Sequence, residues 1–221
     1  MARGTRAVAA LALILASVAA AQGVKEAGGT VSEPKTALLV IDVQNFYFPG
    51  GRLALDGPEE ASLKARAALA RFRALHWPVI HVQHLPEGVA TPDPDIANEA
   101  YRIHPNVVPL AGETLIGKHQ ANSFRDTPLL GTLRALDVRR VVICGMQTHM
   151  CVEATARAAA DFGFEVVVLS DACATRALSF GGVDVPARQV HAATLASLAN
   201  MYGRVVTTEE FLAGLPSPTA Q

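Results

Sequence analysis

Three side chains could carry reactive chemistry in this 221-residue sequence: the thiol of Cys151, the amine of Lys118 and the carboxylate of Asp42. Each falls where a strand is expected to end. Thr36 to Ile41 is a short apolar run that stops at Asp42. Thr114 to Ile116 is a short strand with Lys118 just beyond it, and Val141 to Cys144 is a strand whose following turn leads into Cys151. A thiol that opens a helix meets unpaired N–H groups and about half a positive charge, and a nearby ammonium adds to the field; both lower its pKa. A carboxylate within reach can shuttle the proton. Together the three suit nucleophilic attack on a carbonyl. Each also has a plainer use: the Asp as a cap or hydrogen-bond anchor, the Lys as a solvated charge, the Cys as core filler. Spacing alone leaves both readings open.

The elements that must position these residues alternate between strand and helix. Pro58 opens a helix with Glu59 and Glu60 in its first turn, and Leu63, Ala67, Ala70 and Ala74 form an apolar stripe along it. Pro78 to Val82 is the second strand. His84 to Gly112 is a long irregular excursion, and loops of that length are usually functional or disordered. Thr127 to Leu136 is a helix, as is the Ala-rich stretch from about Cys151 to Asp161. Phe164 to Leu169 is a strand, Pro186 to Met201 a helix and Arg204 to Val206 a last strand. The alternation predicts a three-layer α/β fold with a mostly parallel, Rossmann-like sheet of about six strands. Open sheets of this kind bind ligands beyond the carboxyl ends of their strands, where Asp42, Lys118 and the turn before Cys151 converge.

The N-terminus reads as a targeting signal. Arg3 and Arg6 precede an apolar run from Ala7 to Val18, and Ala19-Ala20-Ala21 supplies a small-residue cleavage pattern. The run is shorter than the roughly 20 residues of a stable span, so cleavage after Ala21 is expected over retention as a membrane anchor. A signal over 1–21, a polar leader over 22–35 and one domain over 36–221 follow, in an exported protein, periplasmic or secreted, with no stable membrane insertion once the signal is removed. Formal net charge is −1, which offers nothing for nucleic acid or an anionic surface. Three cysteines, Cys144, Cys151 and Cys173, leave at least one thiol unpaired, and their spacing suggests neither zinc nor a redox pair.

Longer stretches around the reactive residues carry a family resemblance. Asp42-Val43-Gln44-Asn45-Phe46, Lys118 with Asn122-Ser123-Phe124 behind it, and Gly145-Met146-Gln147-Thr148-His149-Met150-Cys151-Val152 resemble, in that order, the isochorismatase-like cysteine hydrolases, which include nicotinamidases and N-carbamoylsarcosine amidohydrolase. The resemblance implies Cys151 as nucleophile, Asp42 as general base and Lys118 as the group that stabilises the thiolate and orients Asp42. It also implies a cis peptide between Met146 and Gln147, aiming the N–H of Gln147, with that of Cys151, at a developing oxyanion. Gln44, Phe46 and Phe124 would line the pocket, with His84 and His149 as further substrate-facing candidates. The implied reaction is hydrolysis of a small amide or carbamoyl-type C–N bond, with a small molecule as substrate, no organic cofactor and a homo-oligomeric assembly.

Two departures refine this expectation. Nicotinamidases bind a metal through a D-x-H motif after the second strand; here His84 and Pro86 take those places in His81-Val82-Gln83-His84-Leu85-Pro86, so no metal is expected. Isochorismatase itself lacks the cysteine and cleaves a vinyl ether, so retention of Cys151 favours acyl transfer. Vinyl-ether hydrolysis remains the alternative within the family, and a non-catalytic exported binding module the alternative outside it. Cys144 and Cys173 read as structural, with a disulfide between them open in an exported protein. His191 shares a helix face with Leu195, Leu198 and Tyr202, which suggests packing.

Overall fold

The structure is a computed structural model and describes residues 34–216. The expected signal and nearly all of the polar leader lie outside the described residues. Six parallel strands form one sheet: β1 (Thr36–Ile41), β2 (Val79–His84), β3 (Thr114–Lys118), β4 (Arg140–Met146), β5 (Glu165–Ala174) and β8 (Arg204–Val206). Their spatial order is β3-β2-β1-β4-β5-β8. Winding therefore reverses between β1 and β4, and the crevice at such a switch point is where ligands enter folds of this type.

All six residues of β1 are buried, which explains an unbroken apolar run in place of alternation: both faces of the sheet are covered. Leu38, Val40, Val142 and Val167 pack on one side with Ala61, Ala65, Leu69 and Phe72 of α1 (Pro58–Ala74) and with Phe211 of α5 (Thr208–Ala213). Leu39, Ile41, Ile143 and Val168 pack on the other with α2 (Leu129–Ala135), α3 (Glu153–Asp161) and α4 (Ala187–Met201). The result is the three-layer α/β architecture. Among the described residues no helix is long and apolar enough to cross a membrane.

The inward face of α1 differs from the one the sequence suggested. Leu63 is 44% exposed and Ala67, Ala70 and Ala74 are exposed, whereas Ala61, Ala65, Ala68, Leu69 and Phe72 are buried. Alanine occurs all round this helix, so the bulky Leu69 and Phe72 decide which stripe goes inside. The strands also run further than expected, β2 to His84, β3 to Lys118 and β4 to Met146. β5 continues through Ser170 and Asp171 because a register shift near Gly145 lets Cys173 and Ala174 pair with Gly145 and Met146. Asp171 is spent there on α5, accepting from the Thr208 N–H and hydroxyl, each at 2.7 Å.

Two elements escaped the sequence reading. A hairpin of β6 (Leu178–Phe180) and β7 (Val183–Val185) turns on Gly181 and Gly182, whose φ values of 58° and 78° suit the tight primed turn that a Gly-Gly pair favours. Helix α5 starts with a capping box, in which Thr207 and Glu210 satisfy each other's backbone N–H groups. Cys144 and Cys173 are both reduced and pack into the cores on opposite faces of the sheet, which removes the disulfide left open above.

Candidate active site

Asp42, Lys118 and Cys151 meet at the carboxyl edge of the sheet. Lys118 Nζ donates to Asp42 Oδ2 at 2.7 Å and to Cys151 Sγ at 3.3 Å. Their exposures are 0%, 2% and 6%, so the contact is nearly sealed from water. Each arrives on a different element. Asp42 follows β1 with φ of 49°, a left-handed turn that swings its carboxylate off the strand axis. Lys118 ends β3, which lies two strands from β1. Cys151 stands in a one-turn π-helical segment, Thr148–Val152, between β4 and α3.

That segment corrects the expected location of Cys151, since α3 proper begins at Glu153. It is a wide turn entered through a cis peptide between Met146 and Gln147 and closed by the N–H groups of Met150 and Val152 on the Gln147 carbonyl. Gly145 makes the approach possible. Its φ is +126°, and a Cβ there would lie 1.9 Å from the Ile41 carbonyl oxygen. Only glycine lets β4 run this close to the end of β1.

The electrostatics differ from the sequence expectation as well. Burial drives the Cys151 thiol up, the Asp42 carboxylate raises it further, and Lys118 only partly offsets them; the pKa is pushed up to about 12. The expected preformed thiolate is therefore replaced by a thiol at rest. Burial also works against the Lys118 ammonium, but Asp42 and Cys151 outweigh it and the pKa is raised, so the amine stays charged. Asp42 Oδ1 is buried without a hydrogen-bond partner, leaving a lone pair free to take the thiol proton.

Of the other candidates, His84 belongs to this group. It pairs with Lys118 in the β2–β3 register and lies within the fields of Asp42 and Lys118. With Tyr101 and His119 it lines a cavity of about 470 Å³. His81 falls on the opposite face of β2, 1% exposed and bonded to Glu113 at 2.9 Å, so the two histidines share no site. Gln44 has no group to spare for a ligand: it donates to the His84 and Tyr101 carbonyls at 3.0 and 2.7 Å and accepts from the His84 N–H at 2.8 Å. Gln83 does the same for Asp93, accepting at 2.9 Å and donating at 2.7 Å. These two buried amides fold the 84–112 excursion onto the sheet. Phe46 is 1% exposed and packs on Tyr47 and Tyr101. Phe124 packs against Phe162 and Phe164 in the same buried cluster as Cys151. His149 is half-buried and hydrogen-bonds Thr175 through Nδ1.

Tyr47 escaped the sequence reading. It is 5% exposed, feels both Asp42 and Cys151, and its hydroxyl lies 3.5 Å from Gln147 Nε2. Burial, then Asp42 and Cys151, raise its pKa, so it remains a neutral phenol. Its place directly after Phe46 in the Asp42-Val43-Gln44-Asn45-Phe46-Tyr47 stretch was the available signal.

The sign of the Cys151 shift yields a prediction. Asp42→Asn removes the carboxylate that raises the thiol pKa and keeps the ammonium that lowers it. Alkylation by iodoacetamide at pH 7 should then quicken, about tenfold for each unit the pKa falls. In the parent the alkylation rate should keep climbing with pH beyond 8. A parent plateau below pH 8, with slower alkylation in Asp42→Asn, would instead restore a preformed thiolate.

Comparison with known proteins fits this geometry. Residues 36–210 match the family model described as the isochorismatase domain. An uncharacterised isochorismatase family protein of Bacillus subtilis, YddQ, is 47% identical over 177 residues, covering 80% of this chain and 98% of its own. A maleamate amidohydrolase of Pseudomonas putida is 29% identical over 190 residues, covering 80% and 84%. The crystal structure of a putative isochorismatase hydrolase from Oleispira antarctica superposes with a TM-score of 0.77 at 43% identity, over 84% of this chain and all of that one. On the extent of these matches, the chain belongs to the isochorismatase family.

Proposed function

We propose that this hydrolase cleaves a small amide or carbamoyl-type C–N bond through an acyl-enzyme on Cys151. The observation that carries the reading is the buried Lys118 ammonium bonded at once to Asp42 and to the Cys151 sulfur. A binding module has no need of a nucleophile, a base and a cation in sealed contact, whereas acyl transfer uses all three. The relationship to a maleamate amidohydrolase supports the same bond type.

Asp42 Oδ1 takes the thiol proton as sulfur attacks the substrate carbonyl carbon. The oxyanion is held by the N–H groups of Gln147 and Cys151, which flank the turn. Collapse breaks the C–N bond, and Asp42 returns its proton to the leaving nitrogen. Water then attacks the thioester, gives a proton to Asp42, and the acid departs as the thiol is re-formed. Lys118 keeps Asp42 aimed and balances the charge that moves between oxygen and sulfur. The cavity lined by His84, Tyr101 and His119 is the entrance in this reading, because His84 pairs with Lys118 in the β2–β3 register and lies within the fields of Asp42 and Lys118.

Amine release from a panel of small amides, maleamate among them, carbamoyl compounds and hydrazides tests this reading. Cys151→Ala should lower turnover of any accepted substrate by about a thousandfold or more with the fold retained. Undiminished turnover by Cys151→Ala would refute it and favour the vinyl-ether chemistry in which Asp42 works without sulfur.

We further propose that the enzyme acts after export, on the strength of Arg3, Arg6, the apolar run from Ala7 to Val18 and the alanines at 19–21. N-terminal sequencing of protein from its native host should find Gln22 first; a mature pool that begins at Met1 or Ala2 would contradict export.

A further inference from the structure

The turn that carries the oxyanion donors is held from outside by a residue on α4. Thr148, 0% exposed, is the first residue of the π-helical segment and follows Gln147 directly. Its hydroxyl lies 2.9 Å from Nδ1 of His191. His191 is half-buried, and the same ring hydrogen-bonds the Ser170 backbone of β5. That contact favours the protonated ring, whereas a neutral ring keeps one nitrogen able to accept, the role we assign to Nδ1 opposite the Thr148 hydroxyl. Burial works the other way and keeps the imidazole neutral below its ordinary range, which preserves that acceptor.

We infer that His191 is a positioning residue for catalysis: by accepting from Thr148 while anchored to Ser170, it fixes the turn that presents the Gln147 and Cys151 N–H groups. The inference rests on the acyl-transfer reading of Cys151. The turn needs such a brace. The Gln147 carbonyl closes the turn on the Met150 and Val152 N–H groups, but its side chain has only the contact with Tyr47 at 3.5 Å and a buried, unpartnered Oε1, so that side chain does little to hold its own N–H in place. Thr148 is the adjacent residue with a side-chain hydrogen bond to another element. An oxyanion donor displaced by even a fraction of an ångström loses much of its effect, because only donors already aimed at the developing charge accelerate the step. His191 touches neither substrate nor sulfur and acts only through Thr148.

Two reagents separate this role from general packing. Acylation of Cys151 by p-nitrophenyl acetate, read as a nitrophenolate burst above a Cys151→Ala blank, passes through an oxyanion; alkylation by iodoacetamide at the same sulfur does not. His191→Leu should slow the burst about tenfold or more, short of the hundred- to thousandfold loss of a whole donor, and leave alkylation within twofold. His191→Asn, which keeps an acceptor near the Nδ1 position, should recover most of the burst rate. Thr148→Val should match His191→Leu, and the double variant should be no slower than either. A burst unchanged in His191→Leu, or burst and alkylation falling together, or two losses that multiply, would overturn the inference while leaving the Cys151 reading intact. A parent burst no larger than that of Cys151→Ala would instead sink the acyl-transfer reading, and this inference with it.

Discussion

An ammonium buried against a carboxylate and a sulfur sets the terms for the rest of the molecule. Lys118 is 2% exposed, and an unpaired charge at that depth costs several kcal/mol. Its bonds to Asp42 and Cys151 must therefore be kept, and keeping them fixes where three elements end. β3 and β1 are separated by β2, so Lys118 has to reach across roughly 9–10 Å of sheet. A long unbranched cation manages that span, with the positive φ of Asp42 bringing the carboxylate toward it. The sulfur must come from the far side of β1, which is where the turn after β4 delivers it.

The closeness of these groups also governs the chemistry. Enclosure among apolar side chains lifts the Cys151 pKa beyond what one ammonium can reverse, so the nucleophile waits as a thiol. In the proposed mechanism the proton goes to the unpartnered oxygen of Asp42, whose other oxygen is held by Lys118. On that mechanism, proton transfer and attack are then coupled, and a sulfur outside a productive encounter stays protected from adventitious electrophiles. Surrounding polar groups are mostly committed to building the enclosure. Gln44 and Gln83 bind backbone on the 84–112 excursion, and Glu113 gathers Arg73, His81 and the Leu110 N–H at its far end. Burial opposes ionisation of Glu113, but these partners prevail and hold its pKa down to about 2.

What the sequence revealed and what it hid have physical causes. The sheet was legible because fully buried strands are short apolar runs, and Asp42, Lys118 and Cys151 stood out because each interrupts or follows one. Exposed faces of Ala-rich helices were not legible: α1 carries alanine on every side, and Phe72 and Leu69 chose the inward stripe. The direction of the thiol shift was missed because a helix terminus and a cation are visible in sequence, whereas enclosure is a property of the fold. Gln44 appeared to face substrate because its motif lies beside Asp42; its bonds to residues 84 and 101 join segments whose proximity only the tertiary structure creates. His191, about 40 residues from Thr148, met it for the same reason.

Passage of the acyl group through sulfur, central to the proposed mechanism, can be observed directly. With enzyme in excess over an accepted amide and the reaction stopped in acid at intervals, intact-mass and peptide analysis should find the acyl mass on Cys151. Free amine should appear before the carboxylic acid. Amine and acid released together at every interval, with the Cys151 peptide unmodified throughout, would contradict it.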